Sequence, residues 1–289
     1  MIGMMSSTGA SNNGVRVTGE AVRLPGADSP HEIAFEAYGV GVAVGVSHAE
    51  LLDELQPVLP PGRQPCAASE VDRRFAIKLE QSGTYAFEKD GRLRNNGLTL
   101  PLVLGLLDTE LRLYIARKAP EAIFIHAGVV AHQGRTIIIP GMSFSGKTTL
   151  VAALVREGAT YFSDEFAVLD DNGLVHPYAK TLSLRDVNQV QIEHSVDSLG
   201  GVAAEEALPV GAIVATNYHP GAQWQPEIGS VTDGAMALLA NAVPARERPE
   251  AVMRTVSRCA EGALVLKSAR GEATAIAPKL LAELDRIAA

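Results

Sequence analysis

The chain has 289 residues, of which 47% are hydrophobic and 20% charged, and it carries a net charge of −8. That length supports one large domain or two small ones, and the acidic balance argues against a general binder of nucleic acid or anionic membranes. Two cysteines, Cys66 and Cys259, exclude a disulfide scaffold and fit a reducing, cytoplasmic setting.

The first thirteen residues are rich in Ser, Gly and Asn, with neither a basic start nor an apolar core. They read as a disordered tail rather than a signal peptide. An α/β region over residues 14–118 follows. Strands are expected at residues 15–24 and 32–46. Ser47 and Glu50 have capping-box spacing for a short helix over residues 48–56. Two further strands, 75–79 and 84–88, lead through an Asp90-Gly91 hairpin turn into 92–94. A helix over 100–116 would carry Leu100, Leu104, Leu107, Leu111 and Ile115 on one face. No apolar run is long enough to span a bilayer, so no membrane partner is expected.

The character changes at residues 119–289, a second domain. Strand segments at 122–126, 128–132 and 135–139 precede the run Gly141-Met142-Ser143-Phe144-Ser145-Gly146-Lys147-Thr148-Thr149. A helix over 147–156 opens at the Lys-Thr pair, and Gly158 is its expected C-cap. Beyond it lie short strands at 160–162, 166–169 and 174–177, the last two joined by a turn at residues 170–173. A strand at 210–216, helices at 232–242 and 248–259, a strand at 263–267 and a helix at 277–287 complete the chain. The polar stretch 194–206 reads as mobile. Tight hairpins beside the loop imply a mixed sheet.

The pattern G-x-x-x-x-G-K-[ST] between a strand and a helix is that of a phosphate-binding loop. Successive loop amides form a concave nest for phosphate oxygens, and the helix N-terminus adds its positive dipole end. Gly141 and Gly146 let the backbone turn close to a ligand. Lys147 would contact the β- and γ-phosphates of ATP, and the Thr148 hydroxyl would ligate Mg²⁺. Asp164-Glu165 begins 17 residues beyond Lys147 (147 to 164), just past a short strand, where carboxylates can reach the γ-phosphate and its metal. Asp164 is the candidate base and Glu165 a candidate metal ligand. His126 ends a strand before the loop. Arg185, His219 and Arg254 are candidate cations for clamping an acceptor, whereas His176 and His194 have no supporting constellation.

The segments Phe124-Ile125-His126-Ala127-Gly128-Val129, Gly141 through Thr149, and Gly158 through Asp164-Glu165 together resemble the HPr kinase/phosphorylase family. The resemblance covers about residues 122–185. It implies an α/β phosphate-loop fold related to phosphoenolpyruvate carboxykinases, in which the N-terminal α/β region precedes the kinase domain. By the same resemblance His126 lies near the transferred phosphate, Asp164 is the catalytic base and Thr148 a metal ligand. It further implies a serine hydroxyl on a peptide or protein as acceptor, and a homo-oligomer. Three features depart from the family pattern: Phe144 stands where Gly is usual, Glu165 replaces Asp, and the downstream glycine-rich segment with its metal-binding Glu is missing. The chain is closer to the HPr-kinase-like branch, some members of which modify peptides made in biosynthetic clusters.

Two other classes compete. A nucleotide-binding regulatory or scaffold module would need the loop, Lys147 and Thr148 but not Asp164, and a small-molecule kinase could share every one of these residues. Transporter-ATPase and GTPase readings fail on motif order and on the missing guanine-reading N-K-x-D.

Overall fold

The computed structural model describes residues 31–142, 145–185 and 191–288, and these form a mixed α/β protein. The expected N-terminal tail, the expected strand at 15–24, and loop residues Ser143 and Phe144 lie outside the described residues. The chain divides into two compact units, the main break falling between Leu111 and Arg112. The short segments Ala37–Val40 and Pro60–Arg63 group with the second unit.

The first unit contains β1 (His31–Ala37), β2 (Val40–Val46), α1 (Leu51–Leu55), β3 (Gln64–Pro65), β4 (Arg73–Leu79), β5 (Tyr85–Lys89), β6 (Arg92–Leu98) and the start of α2 (Leu100–Lys118). Its six strands form one sheet ordered β3-β1-β2-β4-β5-β6, with β2 and β4 parallel. Residues 32–46, expected as a single strand, are two. Tyr38 (φ 54°) and Gly39 (φ 73°) make the two-residue turn between them, the positive-φ pair that hairpins favour. The expected capping box at Ser47 does not form. The Ser47 Oγ instead accepts from the Leu79 N–H at 2.9 Å, and α1 starts later, at Leu51. On α2 the buried line is Val103, Leu107, Leu111 and Ile115, a row four residues apart that displaces the expected Leu100 and Leu104.

The second unit is built on an eight-stranded mixed sheet. Its elements are β7 (Ala122–His132), β8 (Arg135–Pro140), α3 (Lys147–Arg156), β9 (Thr160–Ser163), β10 (Phe166–Asp170), β11 (Leu174–His176), β12 (Leu182–Arg185), β13 (Gln191–His194), β14 (Leu208–Tyr218), β15 (Glu227–Ile228), α4 (Val231–Leu239), α5 (Pro249–Ala260), β16 (Leu264–Arg270) and α6 (Ala273–Ala288). The order is β11-β10-β7-β8-β14-β16-β15, and β9 also pairs with β7. β8, β14 and β16 are mutually parallel, while β7 runs antiparallel to β8, β9 and β10. β12 and β13 form a separate hairpin. The stretch expected to be mobile is tied down at its far end, where the Tyr161 N–H donates to Val202 and the Ala204 N–H to Tyr161.

Strand alternation divides the core into two layers. Val130, Ile137, Ile139, Ala212, Val214 and Leu266 face α3 and α6. Ile125, Ala127, Val129, Ile138 and Ile213 face α4 and α5. Helices therefore cover both faces of the sheet. Gly128, between Ala127 and Val129, shares the α3 face with Val130. A Cβ there would stand 2.6 Å from Val151 Cγ2 and 3.6 Å from Lys147 Cβ. The first turns of α3 thus rest directly on the β7 backbone.

Gly128→Val should destabilise the protein by about 1–3 kcal/mol through overpacking, measured by denaturant unfolding. Adding Val151→Ala should recover part of that loss. Strict additivity of the two changes would show that this contact does not set the helix position.

Candidate functional site

The loop joins the end of β8 to the start of α3, as the motif requires. Gly146 caps α3 in a left-handed conformation (φ 81°), which favours glycine. The Gly141 N–H donates to the His126 carbonyl at 3.1 Å, and Ser145 N–H closes a turn onto Met142 at 3.3 Å. Lys147 Nζ donates to the Met142 carbonyl at 2.7 Å, so its ammonium lies over the loop. The amides of the first turn of α3 have no acceptor within the helix.

Register explains why His126 comes to this place. His126 lies one rung from Gly128 on the same face of β7, and Gly128 is covered by Val151 and Lys147. His126 therefore falls just off the N-terminal end of α3. Its ring sits 4.9 Å from that of Phe166, and Phe166 is its cross-strand partner. Burial, then the charges of Lys147 and Arg112, push its pKa down to about 4. At neutral pH His126 is an uncharged imidazole, able to exchange a hydrogen bond but not to act as a cation.

Asp164 and Glu165 occupy the break between β9 and β10, both of which pair along the same edge of β7. Continuous pairing is interrupted there, and the Ala127 N–H donates to the Glu165 carbonyl at 3.1 Å. The two carboxylates diverge. Asp164 accepts a hydrogen bond from Tyr161. The fully buried Tyr161 hydroxyl lies 2.9 Å from Asp164 Oδ1 and 3.1 Å from the Lys180 carbonyl. Burial raises the Asp164 pKa, and the hydrogen bonds from Thr148 and Tyr161 oppose that rise. Burial lowers the pKa of Lys147, and the charge of Asp164 counteracts it. Glu165, the expected metal ligand, forms an ion pair with Arg112.

Three residues that shape this region carry no motif signal. Tyr161 is an aromatic in a strand; Arg112 is a charge within a helix; Arg270 lies beyond the strand end expected at residue 267. Arg270 is 2% exposed. Its Nη2 donates to the Gly146 carbonyl at 2.8 Å and its Nη1 to the Gly271 carbonyl at 3.2 Å. The guanidinium lies 5.5 Å from the Tyr218 ring centre, and the Tyr218 hydroxyl donates to Glu272 at 2.7 Å. A buried guanidinium thus supports the loop from below.

The other expected cations separate. Arg254 pairs with Asp171. His176, for which the sequence offers no constellation, lies against Asp170 on the hairpin. His219 lines a cleft on the far side of the loop. The Arg185 side chain and residues 143–144 lie outside the described side chains. Among the described residues no group of three or more His, Cys, Asp or Glu side chains is placed to hold a metal, and no helix is long and apolar enough to cross a membrane. Compared with known proteins, the chain matches no family model and no curated sequence.

The depressed pKa of His126 has a consequence for stability. An unfolded chain holds histidine near its ordinary value of about 6.5. As pH falls from 6.5 toward 4, the unfolded state takes up a proton that folded His126 refuses, and stability declines. In unfolding measurements across that window, His126→Gln should lose less stability than the parent. Equal slopes for the two proteins would exclude His126 as a source of the pH dependence.

Proposed function

We propose that the chain is an ATP-dependent kinase on a phosphate-loop fold of the HPr-kinase-like type, transferring the γ-phosphoryl group to a hydroxyl, serine on a peptide or protein by the resemblance. The observation that supports this reading is the strand-loop-helix around Lys147 and Thr148, followed by Asp164 in the β9–β10 connection, where it accepts from Tyr161 and its charge acts on Lys147. A module that only bound nucleotide would need the lysine and the threonine; a half-buried carboxylate near them can in addition take the proton of an acceptor hydroxyl.

The residues fit Mg·ATP. Lys147 and the first-turn amides of α3 are disposed to hold the β- and γ-phosphates, and the Thr148 hydroxyl would hold Mg²⁺. Magnesium commonly uses one or two protein oxygens and completes its shell with phosphate and water, so a dense carboxylate cluster is not required. When bound, the ion neutralises charge on the transferred group. Asp164, its pKa raised by burial, would accept the proton of the acceptor hydroxyl. Tyr161 fixes that carboxylate from behind. Glu165 holds Arg112, whose charge reaches His126. The neutral His126 offers a hydrogen-bonding group beside the reacting phosphate without adding a further cation to Lys147 and Arg112.

Lys147→Ala should abolish Mg·ATP binding in titration calorimetry. Asp164→Asn should keep that binding while phosphoryl transfer to a panel of serine peptides falls by about 10²- to 10⁴-fold, the usual contribution of a general base. Undiminished transfer by the Asp164 variant would remove the base assignment, and unchanged ATP affinity in the Lys147 variant would remove the nucleotide site itself.

A further inference from the structure

At the end of the sheet opposite the phosphate loop, a cavity of about 310 Å³ opens between the starts of β8, β14 and β16 and the last turns of α6. Its volume lies at the small end of the range for small-molecule sites. The stretch of β8 from Arg135 to Pro140 spans roughly 17 Å at the usual rise per residue. A small molecule held beside Arg135 is therefore a separate ligand from anything on the loop.

Gly211 shapes one wall. Val210 pairs with Thr136 and Ala212 with Ile137, so β14 bulges and Gly211 is passed over. Such a bulge takes one residue out of the ladder and bends the strand locally. A Cβ on Gly211 would stand 2.7 Å from Arg135 Cβ and 3.2 Å from its Cδ. The arginine stem is thus laid along the glycine backbone, and packing sets its direction. By strand alternation Arg135 shares a face of β8 with Ile137 and Ile139, the face that α3 and α6 cover. Ile137, Ala212 and Leu264 make an apolar floor there, and Leu284 of α6 closes a side.

No Asp or Glu stands among the described residues of the lining. Asp285, the neighbour of Leu284, is engaged by others: its Oδ1 lies 2.6 Å from His132 Nε2 and accepts from Gln133 Nε2 at 3.4 Å. The cavity therefore sets one guanidinium beside an apolar floor. That planar fork matches a carboxylate with two parallel hydrogen bonds. One cation balances one negative charge, which favours a monocarboxylate over a dianionic phosphate. We propose that the cavity binds a small monocarboxylic acid, its carboxylate on Arg135 and its hydrocarbon part against Ile137, Ala212, Leu264 and Leu284. This site does not rest on the kinase reading.

Ligand-detected NMR titration of the full chain tests it, with hexanoate as the probe. Wild type should bind hexanoate more tightly than butanoate, by about three- to fourfold per methylene, and more tightly than hexanol. Arg135→Gln, checked for an unchanged melting curve, should weaken hexanoate binding about ten- to a hundredfold, the loss expected for hydrogen bonds to a charged group. Leu284→Glu, which sets a competing carboxylate into the wall, should also weaken it and serves if the arginine variant does not fold. No hexanoate binding by wild type, equal binding of hexanol and hexanoate, or unchanged affinity in a folded variant would overturn the proposal. Tighter binding of hexyl phosphate than of hexanoate would overturn the choice of a carboxylate. Lys147→Ala should leave hexanoate binding unaltered; its loss there would put the probe on the phosphate loop and overturn the site. ATP binding decides the phosphate-loop reading separately.

Discussion

Much of the candidate site depends on one close approach, that of α3 to β7 across Gly128. A single missing side chain lets Val151 and Lys147 rest on the strand backbone. The N-terminus of α3 is thereby brought level with His126 on one strand edge and with the β9–β10 break on the other. A Cβ at Gly128 would meet Val151 at 2.6 Å, so any side chain there would displace the first turns of α3. Packed interiors transmit such changes because they have no slack to absorb them.

Electrostatics then divides the work among side chains brought within reach of one another. Lys147, Arg112 and Arg270 place positive charge around a loop whose dipole end is also positive. Such an arrangement is self-repelling unless carboxylates or a bound anion compensate it. Asp164 and Glu165 supply part of that compensation, one facing Thr148 and the other Arg112. His126 responds by remaining neutral. Glu272 supplies the rest, beside Arg270.

What the sequence made legible follows from how local each signal is. The strand-loop-helix around Lys147, the Gly158 cap and the Asp90-Gly91 turn depend on neighbouring residues, and all three form. The β1–β2 turn escaped notice because β2 is buried along its whole length, so no alternation marks where one strand ends and another begins. Ser47 was misread because its hydroxyl serves a strand thirty-two residues away, a demand that no local pattern announces. Arg270 is illegible for the same reason, because its partner Gly146 lies 124 residues away. Glu165 carried a real signal as half of an acidic pair, but its partner Arg112 comes from another element.

The β9–β10 break shows how a sheet can present two adjacent residues to different tasks. In a continuous strand, Asp164 and Glu165 would point to opposite faces by alternation. Here pairing with β7 lapses between Ser163 and Phe166, and the Ser163 hydroxyl accepts from the Glu165 and Phe166 amides at 3.1 Å and 3.0 Å. Those bonds occupy backbone donors that the ladder leaves over. The two side chains diverge, Asp164 to Tyr161 and Glu165 to Arg112. Between β9 and β10 one buried serine satisfies two backbone amides, while the acidic dipeptide serves two partners, Tyr161 and Arg112.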